Sequence, residues 1–438
     1  MQNPMPNLVY RITEVLSALV LSLPIGTNLG LFQVLWTLIS GRLLESRGAL
    51  IPALAAAGLA PAEVRRAWAA FAGGAWAVAH LIEGLQALVQ REGRWHAQRF
   101  DRYRVVAVDT VGFFRPRLKG CATKHFLSQA GEALPAIPFG LIAGVGTVGS
   151  QTVPVVRQIV RAPHPTASEV ELVTALLTQV AQQLAPDEAA VVDRGFSLRK
   201  VQASQVPRWV CRVPKNFTAR RATPPAYGGK GRRPSRGVIV RPLARTHKTK
   251  TLPATPPDRT ETFSLAGRTL RVECWDDLCL PGTAASTESF QCVVVYDPAY
   301  KEPWVLATNL VLSAADLRAF YHERWPVEQV PLTAKQLLGA HRQFVSADAA
   351  RQRLPELSLW AASLLMYLAA TYPAQPTGFW DRTPRPTAGR LRRALAQLDI
   401  SQSAPLPQQL RKKASVTDHL PKGINAHRRT ARPIAARI

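Results

Sequence analysis

The sequence of 438 residues predicts an α/β protein, and three observations favour this fold class. Residues 1–100 consist mostly of long apolar stretches with helical character. From Arg104 onward, short β-branched runs alternate with amphipathic segments, which is typical of a sheet covered by helices. Residues 214–290 are rich in proline, glycine, arginine and threonine, which indicates a β-rich insertion into the sheet domain.

Helices are predicted along the N-terminal region at Leu8–Leu21, Leu29–Leu44, Ala49–Leu59 and Ala62–Val89. Prolines and glycines interrupt the apolar run at residues 17–43, and no stretch of about 20 apolar residues remains to cross a membrane. The first residues do not form a secretory signal. Five irregularly spaced cysteines predict neither a disulfide framework nor a zinc site. We therefore expect a reduced, cytoplasmic protein.

Three short strands are predicted in the sheet domain, and the first two end in a carboxylate. They are Arg104–Asp109, Ala189–Asp193 and Arg208–Val213. Ile137–Gly144 continues the strand pattern, and Thr166–Leu184 is a predicted helix with Thr166 or Ser168 as its N-cap. After the insertion, the expected elements are strands at Gln291–Tyr296 and Trp304–Asn309, a helix capped by Ser313, a helical region over Ala349–Tyr372 kinked or split near Pro355, and a helix over Gly389–Leu398.

These patterns divide the chain into six segments. They are a helical region (1–100), the first part of the sheet domain (101–213), a basic β-rich insertion (214–290), the second part of the sheet domain (291–345), a helical C-terminal region (346–400) and a basic, disordered tail (401–438).

A net charge of +26 implies a polyanionic partner. Between Asp193 and Asp258 there is no acidic residue, whereas this stretch holds sixteen lysines and arginines. Phosphates of a nucleic-acid backbone would neutralise this charge, and anionic membrane is the rival partner.

Asp109 and Asp193 follow predicted buried strands, at the position where a strand of an α/β domain meets a ligand crevice. Each could be an ordinary strand-terminal acid, but two such carboxylates with a third from a helix would make an oxygen site suited to Mg²⁺ or Mn²⁺. The third is Glu328, in the segment from Tyr321 to Lys335. A continuous helix would place Tyr321, Arg324, Glu328 and Lys335 in one narrow stripe; the alternative is a solvated face with an Arg–Glu pair.

Asp109 after Val-Val-Ala-Val, Asp193 in Asp-Arg-Gly-Phe and the Tyr-x2-Arg-x3-Glu-x6-Lys signature together resemble bacterial insertion-sequence DDE transposases of the Tyr-Arg-Glu-Lys group. The resemblance covers about residues 104–345. It implies an RNase H-like catalytic domain and a metal-dependent endonuclease and polynucleotidyl transferase, with two Mg²⁺ or Mn²⁺ ions held by Asp109, Asp193 and Glu328. It further implies that the protein acts as a homodimer on double-stranded DNA, which comprises the element ends and the target. Residues 1–100 would then bind DNA or dimerise. Candidate DNA-binding residues are Tyr321, Arg324, Lys335, Arg212, Trp325, Arg232, Arg233 and Arg236.

Pro326 and Pro331 depart from an uninterrupted helix because neither has a backbone N–H to donate. Pro326 fits the first turn of a new helix, which would leave Glu328 and Lys335 on it. Two other functions therefore stay open: a catalytically inactive, transposase-derived DNA-binding protein, and a basic membrane-associated protein.

Two further motifs have plainer interpretations. Gly144-Val-Gly-Thr-Val-Gly149 matches a dinucleotide-binding pattern, but Pro154 follows closely, so a glycine-rich hairpin turn is favoured. Trp325 could stack on an unpaired base, yet a tryptophan beside an apolar helix face is more often part of the core.

Overall fold

The computed structural model describes residues 4–23, 28–115, 117–118, 121, 123–127, 129–229, 234–247, 249–282, 288–376, 382–398 and 406–411. Arg232, Arg233 and most of the expected disordered tail lie outside the described residues. Within them the chain forms a mixed α/β structure with one large mixed sheet, so the predicted fold class is confirmed at this level.

The N-terminal region is helical, as expected. Its helices are α1 (Pro4–Leu21), α2 (Asn28–Ile39), α3 (Arg42–Glu45), α4 (Leu50–Ala56), α5 (Pro61–Gly73) and α6 (Val78–Glu92). The stretch predicted over Ala62–Val89 is therefore two helices. Gly74 ends the first with extended backbone, and a Cβ there would lie 2.4 Å from the Ala70 carbonyl oxygen, so only glycine fits this close turn.

The strands follow from β1 to β16. Before the insertion they are β1 (His96–Ala97), β2 (Arg99–Phe100), β3 (Tyr103–Phe114), β4 (Lys124–Leu127), β5 (Glu132–Val148), β6 (Gln151–Arg161), β7 (Glu188–Val192) and β8 (Trp209–Arg212). Within and after it they are β9 (Ala219–Arg221), β10 (Ile239–Val240), β11 (Arg245–His247), β12 (Lys250–Leu252), β13 (Arg259–Leu265), β14 (Arg268–Cys279), β15 (Phe290–Tyr296) and β16 (Trp304–Thr308).

Five strands form the centre of the sheet. β6, β5 and β3 form an antiparallel meander, and β7 and then β8 continue it in parallel beyond β3. Helix α7 (Glu169–Gln183) connects β6 to β7, and α8 (Leu198–Ala203) connects β7 to β8. β16 pairs antiparallel with β8, and the sheet runs on through β15 and β14 to β9 and β10. Four strands of the β-rich insertion, β9, β10, β13 and β14, are thus hydrogen-bonded into the same sheet, whereas β11 and β12 form a separate two-stranded sheet.

Local signals placed two of these elements correctly. Ser168 is the N-cap of α7: its hydroxyl accepts the Glu171 N–H, and the Glu171 side chain accepts the Ser168 N–H in return. The glycine-rich stretch before Pro154 is the end of β5 and a tight turn at Gly149, whose φ of +58° favours glycine. The hairpin interpretation is confirmed.

The segment after β16 is helical throughout. It comprises α9 (Ala314–His322), capped by Ser313 as predicted, α10 (Trp325–Leu332), a π-helical turn over Thr333–Leu337, α11 (Asp348–Thr371), α12 (Ala388–Ala396) and α13 (Gln408–Arg411). Pro355 lies inside α11 without splitting it. By length and composition α11 could cross a membrane, but 89% of its apolar window is buried in the protein. It is the core helix, packed against α2, α6, α12 and β6.

Candidate active site

Asp109 and Asp193 lie side by side on adjacent parallel strands. β3 and β7 pair in register, with Ala107 opposite Val191. Continuing that register by two residues places Asp109 level with Asp193, at the strand spacing of about 4.8 Å. β3 does not end at Asp109, as expected from the sequence, but runs on to Phe114 along β5; it is β7 that ends here.

Both carboxylates point to the same face of the sheet. The odd-numbered residues before them, Ala107 and Val191, belong to the core beneath α10 and α11. The even-numbered Val108 and Val192 pack on the opposite side, under α7. Because side chains alternate along a strand, Asp109 and Asp193 face the helical layer that contains the signature segment.

Backbone N–H groups orient one oxygen of each aspartate. Thr110 N–H donates to Asp109 Oδ1 at 2.8 Å, and Gly195 N–H donates to Asp193 Oδ1 at 2.8 Å. The second contact is a short Asx turn, and the Asp-Arg-Gly sequence accounts for it, since a Cβ at Gly195 would lie 3.0 Å from that oxygen. Asp109 Oδ2 and Asp193 Oδ2 take no part in these two bonds.

Glu328 reaches the same region from α10, which packs against β3 and β5. Pro326 lies in the first turn of α10, as expected. Pro331 lies inside the same helix, two residues before the π-helical turn begins. The Glu328 carboxylate forms an ion pair with the Arg324 guanidinium at 2.6 Å. The four signature residues therefore span two helices and a π-helical turn instead of one straight cylinder.

The pKa of Asp109 is raised to about 7, first because burial disfavours its charged form. The Arg324 guanidinium opposes this rise, whereas the negative charges of Asp193 and Glu328 add to it. Asp193 and Glu328 therefore both act electrostatically on Asp109, and all three carboxylates act on Arg324, their shared counter-ion.

Arg324 and Tyr321 are more deeply buried than residues expected to contact DNA directly. Arg324 is 6% exposed and Tyr321 is 1% exposed, with the tyrosine ring edge-on to Trp304 at 5.2 Å. The Arg324 and Arg212 guanidinium groups lie near the Tyr321 hydroxyl and oppose the rise that burial causes in its pKa. Neither guanidinium group donates a hydrogen bond to the hydroxyl, so both interactions are electrostatic. Among the described residues the Tyr321 hydroxyl and Arg324 Nε have no hydrogen-bond partner.

Lys335 lies in the π-helical turn beside the aspartates. Burial lowers its pKa to about 8, and the nearby Asp109 carboxylate partly opposes that fall. Its Nζ lies 5.3 Å from the Phe113 ring centroid and 5.8 Å from that of Phe114. Sequence reasoning missed these phenylalanines, although the period of two along β3 places Phe113 on the face of Asp109.

Three candidate residues remain among those that the structure describes. Trp325 is 42% exposed, so the preference for a core position was wrong. Arg212 is half-buried on β8 beside Tyr321. Arg236 lies in the insertion and donates to the Leu280 carbonyl at 2.6 Å, which uses part of its hydrogen-bonding capacity.

The residues fit a hard divalent cation, although they do not form a preassembled three-carboxylate cage. Within the described parts of the chain, no three His, Cys, Asp or Glu side chains are grouped closely enough to hold one ion. Mg²⁺, however, commonly takes one or two protein carboxylates and completes its shell with water and phosphate. The paired aspartates meet that need, and a bound cation would offset the burial and the neighbouring negative charges that raise the Asp109 pKa. Glu328 would join them only by loosening its bond to Arg324.

Comparison with known proteins adds no relative: no family model matches the chain, and no curated protein matches it significantly.

Proposed function

We propose that this protein is a DNA transposase that cuts phosphodiesters at the ends of an insertion sequence and transfers the 3′-hydroxyl ends into target DNA. The observation that carries the proposal is the level placement of Asp109 and Asp193 on adjacent parallel strands, with the negative charge of Glu328 also acting on Asp109. A buried Asp109 carboxylate beside two further negative charges is costly unless a cation binds among them.

The strand order supports an RNase H-like catalytic domain. An antiparallel meander of three strands, with its first strand central and continued by two parallel strands, has the order expected of that fold. The connections through α7 and α8 precede the two parallel strands, and the first aspartate lies on the central strand. The β-rich insertion lies between the second aspartate and the glutamate in the sequence, and it extends the sheet.

The chain's own residues divide the chemistry. Asp109 and Asp193 would hold Mg²⁺ or Mn²⁺, and Glu328 would complete the set when a second ion is present. Bound there, two such ions activate a water or hydroxyl nucleophile and stabilise the leaving oxygen. Asp109 must release its proton to serve as a ligand. Arg324 orients Glu328 through their bond of 2.6 Å, so we assign it as a positioning residue.

Charge and exposure favour double-stranded DNA as the partner. Residues 194–257 hold sixteen lysines and arginines and no acidic residue, and they include Arg212 and Arg236, which can neutralise phosphates. Lys335 would contact a phosphate beside the cut as a point charge. A DNA substrate also accords with the expected cytoplasmic, nucleoid-associated location.

The direct test is nicking of DNA that carries the element's own ends, with and without Mg²⁺ or Mn²⁺. We expect strand cleavage that depends on the metal and on the end sequence. DNA binding without cleavage under any divalent metal would favour the alternative, a catalytically inactive DNA-binding protein. Neither binding nor cleavage would reject both.

Replacing Arg324 with alanine should impair cleavage strongly, because Glu328 loses the group that orients it and Asp109 loses its counter-ion. Truncating one partner of a buried charge pair commonly costs about 3–5 kcal/mol. Folding of the variant should be verified by circular dichroism before cleavage is measured. Arg11→Ala is the matched control, since Arg11 forms a surface pair with Glu14 at 3.8 Å. Similar cleavage by the two variants would reject the positioning role.

We further propose that the enzyme acts as a homodimer on DNA, because an element has two ends and each chain supplies one set of three carboxylates. Two-fold assembly is the commonest way to pair equivalent sites. The mass of the cleavage-competent complex with end DNA, measured by light scattering, should correspond to two chains. A competent complex with one chain would contradict this assignment.

A further inference from the structure

The loop over residues 339–345 follows directly from the π-helical turn that contains Lys335. Hydrogen bonds hold both ends of the loop against the rest of the protein. His341 Nδ1 lies 2.7 Å from the Lys335 carbonyl oxygen, and the Ala340 N–H donates to the Ala334 carbonyl. On the other side, Arg115 donates to the Val345 carbonyl at 3.0 Å. The loop is therefore held in a single conformation beside the candidate active site.

The same loop packs against the turn between α3 and α4. The Phe344 N–H donates to the Gly48 carbonyl at 3.3 Å. Gly48 has a φ of +89°, and a Cβ there would lie 1.9 Å from the Arg342 carbonyl oxygen. Arg47, the residue before it, holds a φ of +56°, which is strained for an arginine. Such strain persists where the surroundings impose it, and it often marks a functional surface.

The loop alternates inward and outward side chains. Ala340, Gln343 and Val345 are buried, whereas His341, Arg342 and Phe344 are exposed. Phe344 is 70% exposed, which is unusual for a phenylalanine on a rigid loop. A large ring held in solvent by a fixed backbone is arranged to meet another molecule.

The charges around Phe344 identify the kind of partner. Residues 339–347 contain no acidic residue, and the exposed Arg47 and Arg342 flank the ring on the two contacting turns. The acids closest in sequence to these two turns are already paired: Glu45 with Arg42 at 2.8 Å, and Asp348 with Arg351 at 3.1 Å. Within the part of the chain that the structure describes, neither Arg47 nor Arg342 forms an ion pair, and an exposed ring beside such arginines suits nucleic acid, whose phosphates meet the cations and whose bases meet the ring.

We propose that Phe344 is a wedge that inserts at a base step of duplex DNA while Arg47 and Arg342 hold the adjacent phosphates. This proposal rests on the proposed function, and it adds a DNA contact at a defined distance from the cut. Arg115, the residue that anchors the loop, lies six positions after Asp109 and just beyond the end of β3, which corresponds to roughly 20 Å along the strand. At 3.4 Å per nucleotide, the wedge enters about six nucleotides from the cleaved phosphate.

The test compares the affinity of the full-length protein for two 30-base-pair duplexes, one fully matched and one with a central mismatch, in buffer without divalent metal. A wedge must unstack a base step, which costs more free energy in the matched duplex than at a mismatch. We expect the wild-type protein to bind the mismatched duplex about tenfold or more tightly. Phe344→Ala should abolish this preference and Phe344→Trp should retain it.

Two further variants separate the wedge from general DNA affinity. Arg342→Ala should weaken binding to both duplexes equally and reduce the slope of log K against log salt by about 1. Val311→Ala is the matched control, because Val311 is 77% exposed and follows β16, which runs antiparallel to β8 and therefore ends at the opposite end of the strands from Asp193. Its binding should equal that of the wild type.

Each failure has its own signature. A Phe344→Ala protein that keeps the mismatch preference overturns the wedge. If the only effect of Phe344→Ala is a lower mass of the protein measured without DNA, the surface contacts a second copy of the chain, and the wedge is overturned as well. Because this assay requires no cleavage, a protein that shows the preference but never nicks DNA would refute the catalytic proposal alone.

Discussion

Asp193→Asn should abolish nicking of end DNA while leaving DNA affinity near that of the wild type. The amide keeps the shape of the side chain and its bond from Gly195 N–H, but it removes the negative charge that a divalent cation requires. Even loss of a residue that merely supports a metal ligand commonly costs about 10–100-fold. Removal of a ligand itself should therefore reduce the nicking rate by more than about 100-fold.

Asp187→Asn is the matched control for this experiment, because Asp187 precedes the same strand at its other end and pairs with Arg99 and Arg104 on the surface. Its nicking rate should stay within a few-fold of the wild type. Asp109→Asn and Glu328→Gln should resemble Asp193→Asn. Cleavage by Asp193→Asn at a rate close to that of Asp187→Asn would exclude Asp193 from the active site.

Asp109→Asn should stabilise the metal-free protein above neutral pH. The Asp109 pKa is raised from 3.8 to about 7, so the folded state binds its proton more tightly than the unfolded state does. The free energy of unfolding should therefore fall as pH rises from about 4 to 7, with the whole loss present above pH 7. A shift of this size corresponds to a loss on the order of 2–4 kcal/mol, which the amide would avoid.

The measurement is urea unfolding in EDTA at pH 5 and pH 8. Asp109→Asn should exceed the wild type in stability by a smaller margin at pH 5, where only part of the loss has developed, and by a larger margin at pH 8. Mg²⁺ at pH 8 should stabilise the wild type, because a ligand that binds only the folded state adds to its stability, and should leave the variant unchanged.

Asp187→Asn supplies the opposite sign for the same experiment. Hydrogen bonds from Arg104 lower the Asp187 pKa to about 2, so its carboxylate contributes stability that is lost as pH falls from about 4 toward 2. Asp187→Asn should therefore destabilise the protein at pH 8. A variant Asp109→Asn that also loses stability at pH 8 would contradict the crowding of negative charge at Asp109.

Local patterns were sufficient wherever short-range chemistry decides the structure. The Ser168 N-cap, the Ser313 N-cap and the turn at Gly149 are correct because each depends on hydrogen bonds or backbone angles within a few residues. The same applies to Pro326, whose fixed φ and missing N–H suit only the first turn of a helix.

Side-chain exposure was less predictable. The composition around Trp325 favoured a core position, yet the start of α10 turns the ring outward. Conversely, Tyr321 and Arg324 were expected to meet DNA and are buried against Trp304 and Glu328. Burial depends on which elements cover a helix, and residues distant in the sequence supply that cover.

By itself, the sequence determined the α/β class, the order of the elements, the basic character and the identities of the three carboxylates, because periodicity, caps and charge are properties of local residues. The tertiary structure alone decided that Asp109 is level with Asp193, that Arg324 serves Glu328 and that Phe344 projects from a pinned loop. The register between β3 and β7 joins residues more than eighty positions apart. Such a pairing depends on how whole strands and helices pack together, and a short stretch of sequence does not contain that information.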